Sequence, residues 1–337
     1  MPPRTTRVSR RTLALIVVWG ASAVLGAPLA TASEARDWLA RMNQALAERT
    51  YDGTFFHSRG GRTESLRILH RVRDGEVCER LSSLDGSGRE FSRCGEEVRY
   101  VLPDEGLVLV ERRPREGRLL PTFPRLDERT AGLYDAGEVQ TVRLMERETR
   151  RVTLRPLDPY RYGYRVWIDA RTYLPIKTEM LDSTEKVLEQ IVFVNLRLMR
   201  DLPDEFFRVK TAPNLRWVRA NSPPRFAGSI AQWSTRGLPR GFELTQHVEQ
   251  QLPGADSPVT HLVFSDGLAS VSVFIGARMP PRVAKEFARE RQIGASTTFA
   301  TLVDGHQVVV VGEVPLRTAR LIASQIRARE LTGGAAR

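Results

Sequence analysis

Between residues 53 and 112 the chain is interrupted about every ten residues by turn-forming groups: Gly60-Gly61, Asp74-Gly75, Asp85-Gly86, Gly95 and Pro103-Asp104-Glu105-Gly106. The stretches between them are short and carry apolar residues at alternate positions. They predict strands at 53–58, 64–72, 76–84, 89–93, 97–102 and 107–112. Turns this close leave no room for crossovers, so sequence neighbours pair as antiparallel hairpins. Residues 113–135, rich in Pro and charge, predict a loop, and strands resume at 141–147 and 151–157. From Tyr160 to Ile168 every second residue is apolar or aromatic (Tyr160, Tyr162, Tyr164, Val166, Ile168), alternating with Arg161, Gly163 and Arg165. The alternation returns at Leu174, Ile176, Thr178 and Met180, which predicts a hairpin turning across 169–173. Residues 188–199 are apolar on both faces through Ile191–Val194 and predict a strand covered on both sides. A helix precedes the strands: Ser33 can cap it, and Trp38, Met42, Ala45 and Leu46 recur on one face. A sheet of about eleven strands must curl, close or fold onto itself. With the helix lying in its concavity, the enclosed apolar space either holds an apolar ligand or is filled by its own side chains, and the pattern leaves both open.

The N-terminus carries Arg4, Arg7, Arg10 and Arg11, then an uncharged apolar run, then Ala30-Thr31-Ala32. This reads as a signal peptide over 1–32, cleaved after Ala32, and predicts an exported, periplasmic protein. Without those residues 47 Lys and Arg stand against 40 Asp and Glu, and the net charge falls from +11 to +7. Only four of the basic residues are Lys. An exported protein does not meet the genome, so this charge argues for an anionic membrane surface, lipid phosphates or an acidic partner rather than nucleic acid. Cys78 and Cys94 flank the hairpin that turns at Asp85–Gly88 and fall opposite each other; a cross-strand disulfide and two free thiols both fit the spacing.

The length predicts two domains: a large one over 33–211, a Pro-rich linker over 212–229, a small α+β domain over 230–330 and a tail over 331–337. In the small domain 242–250, 260–264 and 268–275 read as strands, 280–291 as a helix, 298–303 and 307–311 as a hairpin, and a last helix starts at Pro315. No phosphate-binding glycine loop, nucleophile elbow or His-Glu-x-x-His helix is present, and His57, His70, His247, His261 and His306 are scattered. No catalytic residue, metal site or cofactor is predicted, and the chain reads as a binding protein rather than an enzyme.

Four collinear blocks resemble the RseB/MucB family of periplasmic regulators. They are 38–42 with Tyr51-Asp52-Gly53-Thr54-Phe55; Leu69-His70-Arg71-Val72 with 79–86 and Arg89-Glu90; Tyr160–Asp169; and His261–Phe274 with Gly312-Glu313-Val314-Pro315. Cys78 and Cys94 depart from the family pattern, and Glu148–Arg151 lacks its usual glycine. The resemblance implies a mostly β, α+β architecture: a large half-open antiparallel β-barrel with plugging helices, like the lipoprotein carriers LolA and LolB, plus a small C-terminal α+β domain. It implies a negative regulator of the envelope-stress sigma factor, whose partner is the periplasmic domain of a membrane-spanning anti-sigma factor of the RseA/MucA kind. That partner is shielded from site-one proteolysis until lipid or lipopolysaccharide releases it. On this reading the lipid-lining candidates are Phe55, Leu66, Ile68, Leu81, Trp167, Ile168 and Met180, and the partner-binding candidates are Phe264, Ser265, Asp266 and Gly267. The alternatives are a periplasmic lipid or lipoprotein carrier without a regulatory partner and an exported hydrolase with an unrecognised site. The sequence leaves a homodimer open.

Overall fold

The structure, a computed structural model, describes residues 27–112, 123–124, 126–208, 214–219, 225–226, 233–250, 257–279 and 289–328. It opens with helix α1 (Ala27–Glu48). The strands that follow are β1 (Tyr51–Arg59), β2 (Arg62–Arg73), β3 (Glu76–Ser83), β4 (Glu90–Cys94), β5 (Glu97–Leu102) and β6 (Leu107–Arg112). Next come β7 (Tyr134–Ala136), β8 (Gln140–Leu144), β9 (Arg147–Pro156), β10 (Gly163–Asp169), β11 (Pro175–Leu181), β12 (Val187–Leu198) and β13 (Arg216–Arg219). Among the described residues these thirteen strands form one sheet, in the order β13-β6-β5-β4-β3-β2-β1-β12-β11-β10-β9-β7, with β8 on β9. All pairs are antiparallel except β13, which runs parallel to β6.

The chain order of β1 to β6 is the meander that the turns dictate, and β12 lies in the middle of the sheet, paired to β1 and β11. The path is open: its ends, β13 and β7, do not meet in the described sheet. It is a half-open sheet, plugged by α1. One hairpin turns earlier than the strands read at 141–147 and 151–157 placed it. Strands β8 and β9 turn through Met145 and Glu146, both left-handed (φ 49° and 63°) with no glycine.

A second sheet gathers β14 (Arg225–Phe226), β16 (Glu243–Gln250), β17 (Val259–Ser265), β18 (Ser270–Arg278), β19 (Arg289–Ile293), β20 (Ser296–Val303) and β21 (His306–Gly312), in the order β14-β16-β17-β18-β21-β20-β19. Helix α2 (Leu316–Gln325) covers it with Ala319, Ile322 and Ala323, and β15 (Trp233–Thr235) pairs with β22 (Ile326–Ala328) beside it.

Several expectations are corrected. Strand β10 begins at Gly163, so Tyr160–Tyr162 is a loop; Pro159 cannot donate to a ladder and Asp158 accepts the Tyr160 N–H at 2.9 Å. The region read as linker contains β13 and β14. Residues 289–291, read as the end of a helix, belong to strand β19, and 280–288 lie outside the described residues. Tyr134 and Asp135, the end of the stretch read as a loop, belong to strand β7, and 113–122 and 125 of that stretch lie outside the described residues. Of the signal peptide, 1–26 lie outside the described residues, among which no helix is long and apolar enough to cross a membrane.

Candidate functional site

Two features stand out: the concave face of the large sheet under α1, and the joint between the two sheets.

The concave face follows from strand alternation. Phe55, Ile68, Val166, Ile168, Ile176, Ile191 and Phe193 point inward and pack with Ala35, Leu39, Met42, Ala45 and Leu46 of α1 in one apolar core. These helix positions recur at three- and four-residue spacing, so α1 presents one stripe to the sheet. Phe55 is 1 % exposed and Ile68 and Ile168 are 0 % exposed, so these three candidates lie fully inside the core. Leu66, Leu81 and Met180 are partly buried at its edge. Trp167 is placed differently from the other six. It alternates with Val166 and Ile168, lies on the convex face outside that core, and is covered there by Lys177, whose Nζ is 4.8 Å from the ring centroid. The space that strand alternation predicts as a hollow is therefore occupied by α1.

The middle of the helix is clamped at the rim of the sheet. Trp38 packs on Tyr173 with ring centroids 5.4 Å apart, and Arg41 and Arg150 lie over Tyr173 and Trp38 at 5.4 and 5.6 Å. A cleft of about 530 Å³ opens here, lined by Trp38, Glu146, Arg147, Glu148, Arg150 and Arg171. Its floor is Asp169, which accepts the N–H groups of Arg171 and Thr172 at 2.9 and 2.8 Å and pairs with Arg147 at 3.1 Å. Burial alone would raise the Asp169 carboxyl, but the hydrogen bonds from Thr172, Arg147 and Arg171 outweigh it and hold the group below the usual carboxylate value.

The joint is built by the loop between β9 and β10. The Arg161 side chain is 0 % exposed. Its Nη1 lies 2.7 Å from Oδ2 of Asp266, also 0 % exposed, in the β17–β18 turn. Arg161 also pairs with Asp158 at 3.0 Å, donates to the Arg240 carbonyl and stacks on Phe242 at 5.4 Å. The other oxygen of Asp266 accepts the N–H groups of Leu268 and Ala269 at 2.8 and 2.7 Å, which orders the turn. On either side, Tyr162 donates to the Val314 carbonyl at 3.1 Å and Thr318 to the Tyr160 carbonyl at 2.7 Å. Leu268 joins the core of the large sheet. At Gly241, φ is +84° and an added Cβ would meet Leu133 Cδ1 at 2.7 Å, so glycine lets this turn close against the Leu133 side chain.

Of the partner-binding candidates, Phe264 (0 % exposed) is in the small core and Asp266 is consumed by the joint. Ser265 Oγ is turned inward, donating to the Ala269 carbonyl at 2.9 Å. Gly267 alone is exposed. In this arrangement Asp266 holds the joint, Phe264 fills the small core and Gly267 faces outward. Sequence reasoning missed Arg161 as its counterpart because the aromatic alternation through Tyr160–Tyr164 disguised the loop; Pro159 was the available signal.

Cys78 and Cys94 are joined, with Cα atoms 4.2 Å apart at directly paired positions of β3 and β4. Among the described residues no group of three or more His, Cys, Asp and Glu side chains is placed to hold a metal ion.

A half-open sheet plugged by a helix, locked through a buried ion pair to a second, smaller sheet, defines a two-domain binding protein. The sequence matches the MucB/RseB N-terminal domain over residues 34–211 and the MucB/RseB C-terminal domain over 228–327. The chain belongs to the MucB/RseB family. It is 30 % identical to the sigma factor AlgU regulatory protein MucB of Pseudomonas aeruginosa, over 94 % of this chain and 98 % of that protein. It is 27 % identical to the sigma-E factor regulatory protein RseB of Escherichia coli K12, over 86 % and 89 %. Among solved structures, the Pseudomonas aeruginosa MucA/MucB complex superposes with a TM-score of 0.70 at 28 % identity, covering 88 % of this chain and 99 % of the matched chain. A second structure, MucB in complex with MucA(peri), gives 0.68 at 29 % identity with the same coverage.

Proposed function

We propose that this protein is a periplasmic negative regulator of a sigma-factor pathway, acting by binding and not by catalysis. It is exported by cleavage after Ala32, binds the periplasmic domain of a membrane-spanning anti-sigma factor, shields it from site-one proteolysis, and lets go when it senses lipid or lipopolysaccharide. The observation that carries this reading is the likeness, along 88 % of the chain, to MucB solved with MucA. The geometry supports how lipid would act. Phe55, Ile68 and Ile168 are packed against α1, so an acyl chain reaches them by displacing the helix, entering past the partly buried Leu66, Leu81 and Met180. Each buried methylene contributes about 0.8 kcal/mol, so a few suffice to offset a partial loss of helix packing. Beside Trp38, Arg171 and Arg150, the latter paired with Glu148 at 2.6 Å, are the cations a phosphate headgroup would meet at this side of the plug. Lipid weakens partner binding only if the two prefer different arrangements, and the joint at Arg161 and Asp266 is the element whose arrangement can differ. The test is a pull-down of the mature protein with the periplasmic segment of the anti-sigma factor, with and without lipopolysaccharide. Binding that lipopolysaccharide disrupts is the expected result; no binding in either condition refutes the regulator reading.

A further inference from the structure

The cysteine pair lies beneath the segment that follows β12. Leu69, Cys78 and Cys94 lie in a small core with Leu202, Phe206 and Phe207, which follow β12 and precede β13, an edge strand of the same sheet. Arginines hold this segment down. Arg71, 5 % exposed, donates to the Leu202 carbonyl at 2.9 Å, pairs with Asp204 and lies 4.8 Å from the Phe207 ring centroid. Arg73 donates to the same carbonyl at 3.1 Å and pairs with Asp201, and Arg80 donates to the Phe206 carbonyl at 2.9 Å. The second amino group of Arg71 reaches Cys78 Sγ at 3.5 Å. The two sulfurs are not equivalent: Cys78 is 1 % exposed beside this cation, whereas Cys94 is only partly buried.

We propose that Cys78–Cys94 is a thiol–disulfide exchange site that takes a dithiol reductant, attacked at Cys94, and that its opening loosens the Leu202–Phe207 segment. A thiolate of the dithiol attacks Cys94 Sγ, the S–S bond breaks, and its electron pair stays on Cys78. There the Arg71 guanidinium favours the thiolate, and a stabilised leaving thiolate departs faster. The second thiol of the reductant then attacks the mixed disulfide, forms the reductant's own disulfide and releases Cys94. Two electrons pass from the dithiol to the cystine, and its two protons go to the Cys94 sulfur and to solvent. The separated sulfurs no longer fit at bonding distance beneath Leu202 and Phe207, and the Cys78 thiolate competes for Arg71 with the Leu202 carbonyl and Asp204. The bond thus couples thiol chemistry to the anchoring of the segment between β12 and β13, independently of which partner or lipid the protein binds.

Three measurements on the full mature chain under native conditions test this. Incubation with reduced glutathione followed by peptide mass mapping gives an adduct on Cys94. Reduction by dithiothreitol, followed by alkylation of the freed thiols, is about tenfold slower in Arg71→Gln than in the unsubstituted protein. Hydrogen exchange at the amides of Phe206 and Arg208, bonded to Pro203 and Glu205 carbonyls, speeds up about tenfold after reduction while the β10–β11 amides stay protected. An adduct on Cys78, equal reduction rates, or unchanged exchange at 206 and 208 overturns the proposal. Should Arg71→Gln fail to fold, adduct position and exchange in the unsubstituted chain decide alone.

Discussion

Replacing Arg161 by Met tests whether the joint between the sheets rests on one buried ion pair. The substitution keeps much of the aliphatic volume but removes the donors to Asp266, Asp158 and the Arg240 carbonyl. Breaking a buried pair by removing one partner costs about 3–5 kcal/mol, because the other charge stays desolvated. Asp266 keeps two backbone N–H donors, which places the expected cost near the lower bound, about 3 kcal/mol, or roughly a hundredfold in the docking equilibrium. The flanking bonds from Tyr162 and Thr318 contribute about 1 kcal/mol each and do not replace it. The loss falls on docking, since neither core contains Arg161. Urea unfolding therefore changes from one transition to two, and small-angle scattering reports a larger radius of gyration. Arg161→Met combined with Asp266→Asn recovers part of the loss, since the amide oxygen still accepts the Leu268 and Ala269 N–H groups and no charge stays buried at that position. A single variant that stays docked and unfolds within about 1 kcal/mol of the parent refutes the reasoning.

Phe55→Ala empties a fully buried site under α1 and lowers stability by about 3–5 kcal/mol in urea melts. Asp169→Asn loses the charge that Arg147 and the Arg171 and Thr172 N–H groups surround, at a cost of about 2 kcal/mol at pH 7. Because the folded-state carboxyl titrates below its unfolded value, its stabilisation is present above about pH 4 and is lost as the pH falls through the folded value, so parent and variant converge in acid melts. Met145→Asn with Glu146→Gly puts suitable residues at two left-handed turn positions and raises the thermal midpoint, with a gain of about 1 kcal/mol.

The legible parts of the fold were those with local causes. Hairpins at Asp74-Gly75 and Asp304-Gly305 were readable because Gly tolerates positive φ. The position of the turn at Met145 and Glu146 was not, because the ladder between β8 and β9 imposes it on residues with no preference for it. The site was half-legible in the same way. Phe55, Ile68 and Ile168 declared themselves by alternation, but Trp167 was assigned to the wrong face, since its apolar surface is satisfied by Lys177 on the convex side.

By itself the sequence determined the antiparallel meander, the apolar stripe of α1 and the resemblance to a family, all of which depend on period, turn chemistry or collinear residues; it misjudged β12, read as covered on both sides, whose Val194 is 48 % exposed. Only the tertiary structure decided that α1 fills the concavity, that Cys78 and Cys94 underlie the segment following β12, and that Arg161 and Asp266, 105 residues apart, pair directly inside the protein. A charged side chain in a loop looks the same in sequence whether it faces solvent or a partner. Its burial is settled by what packs over it, and that depends on the whole chain.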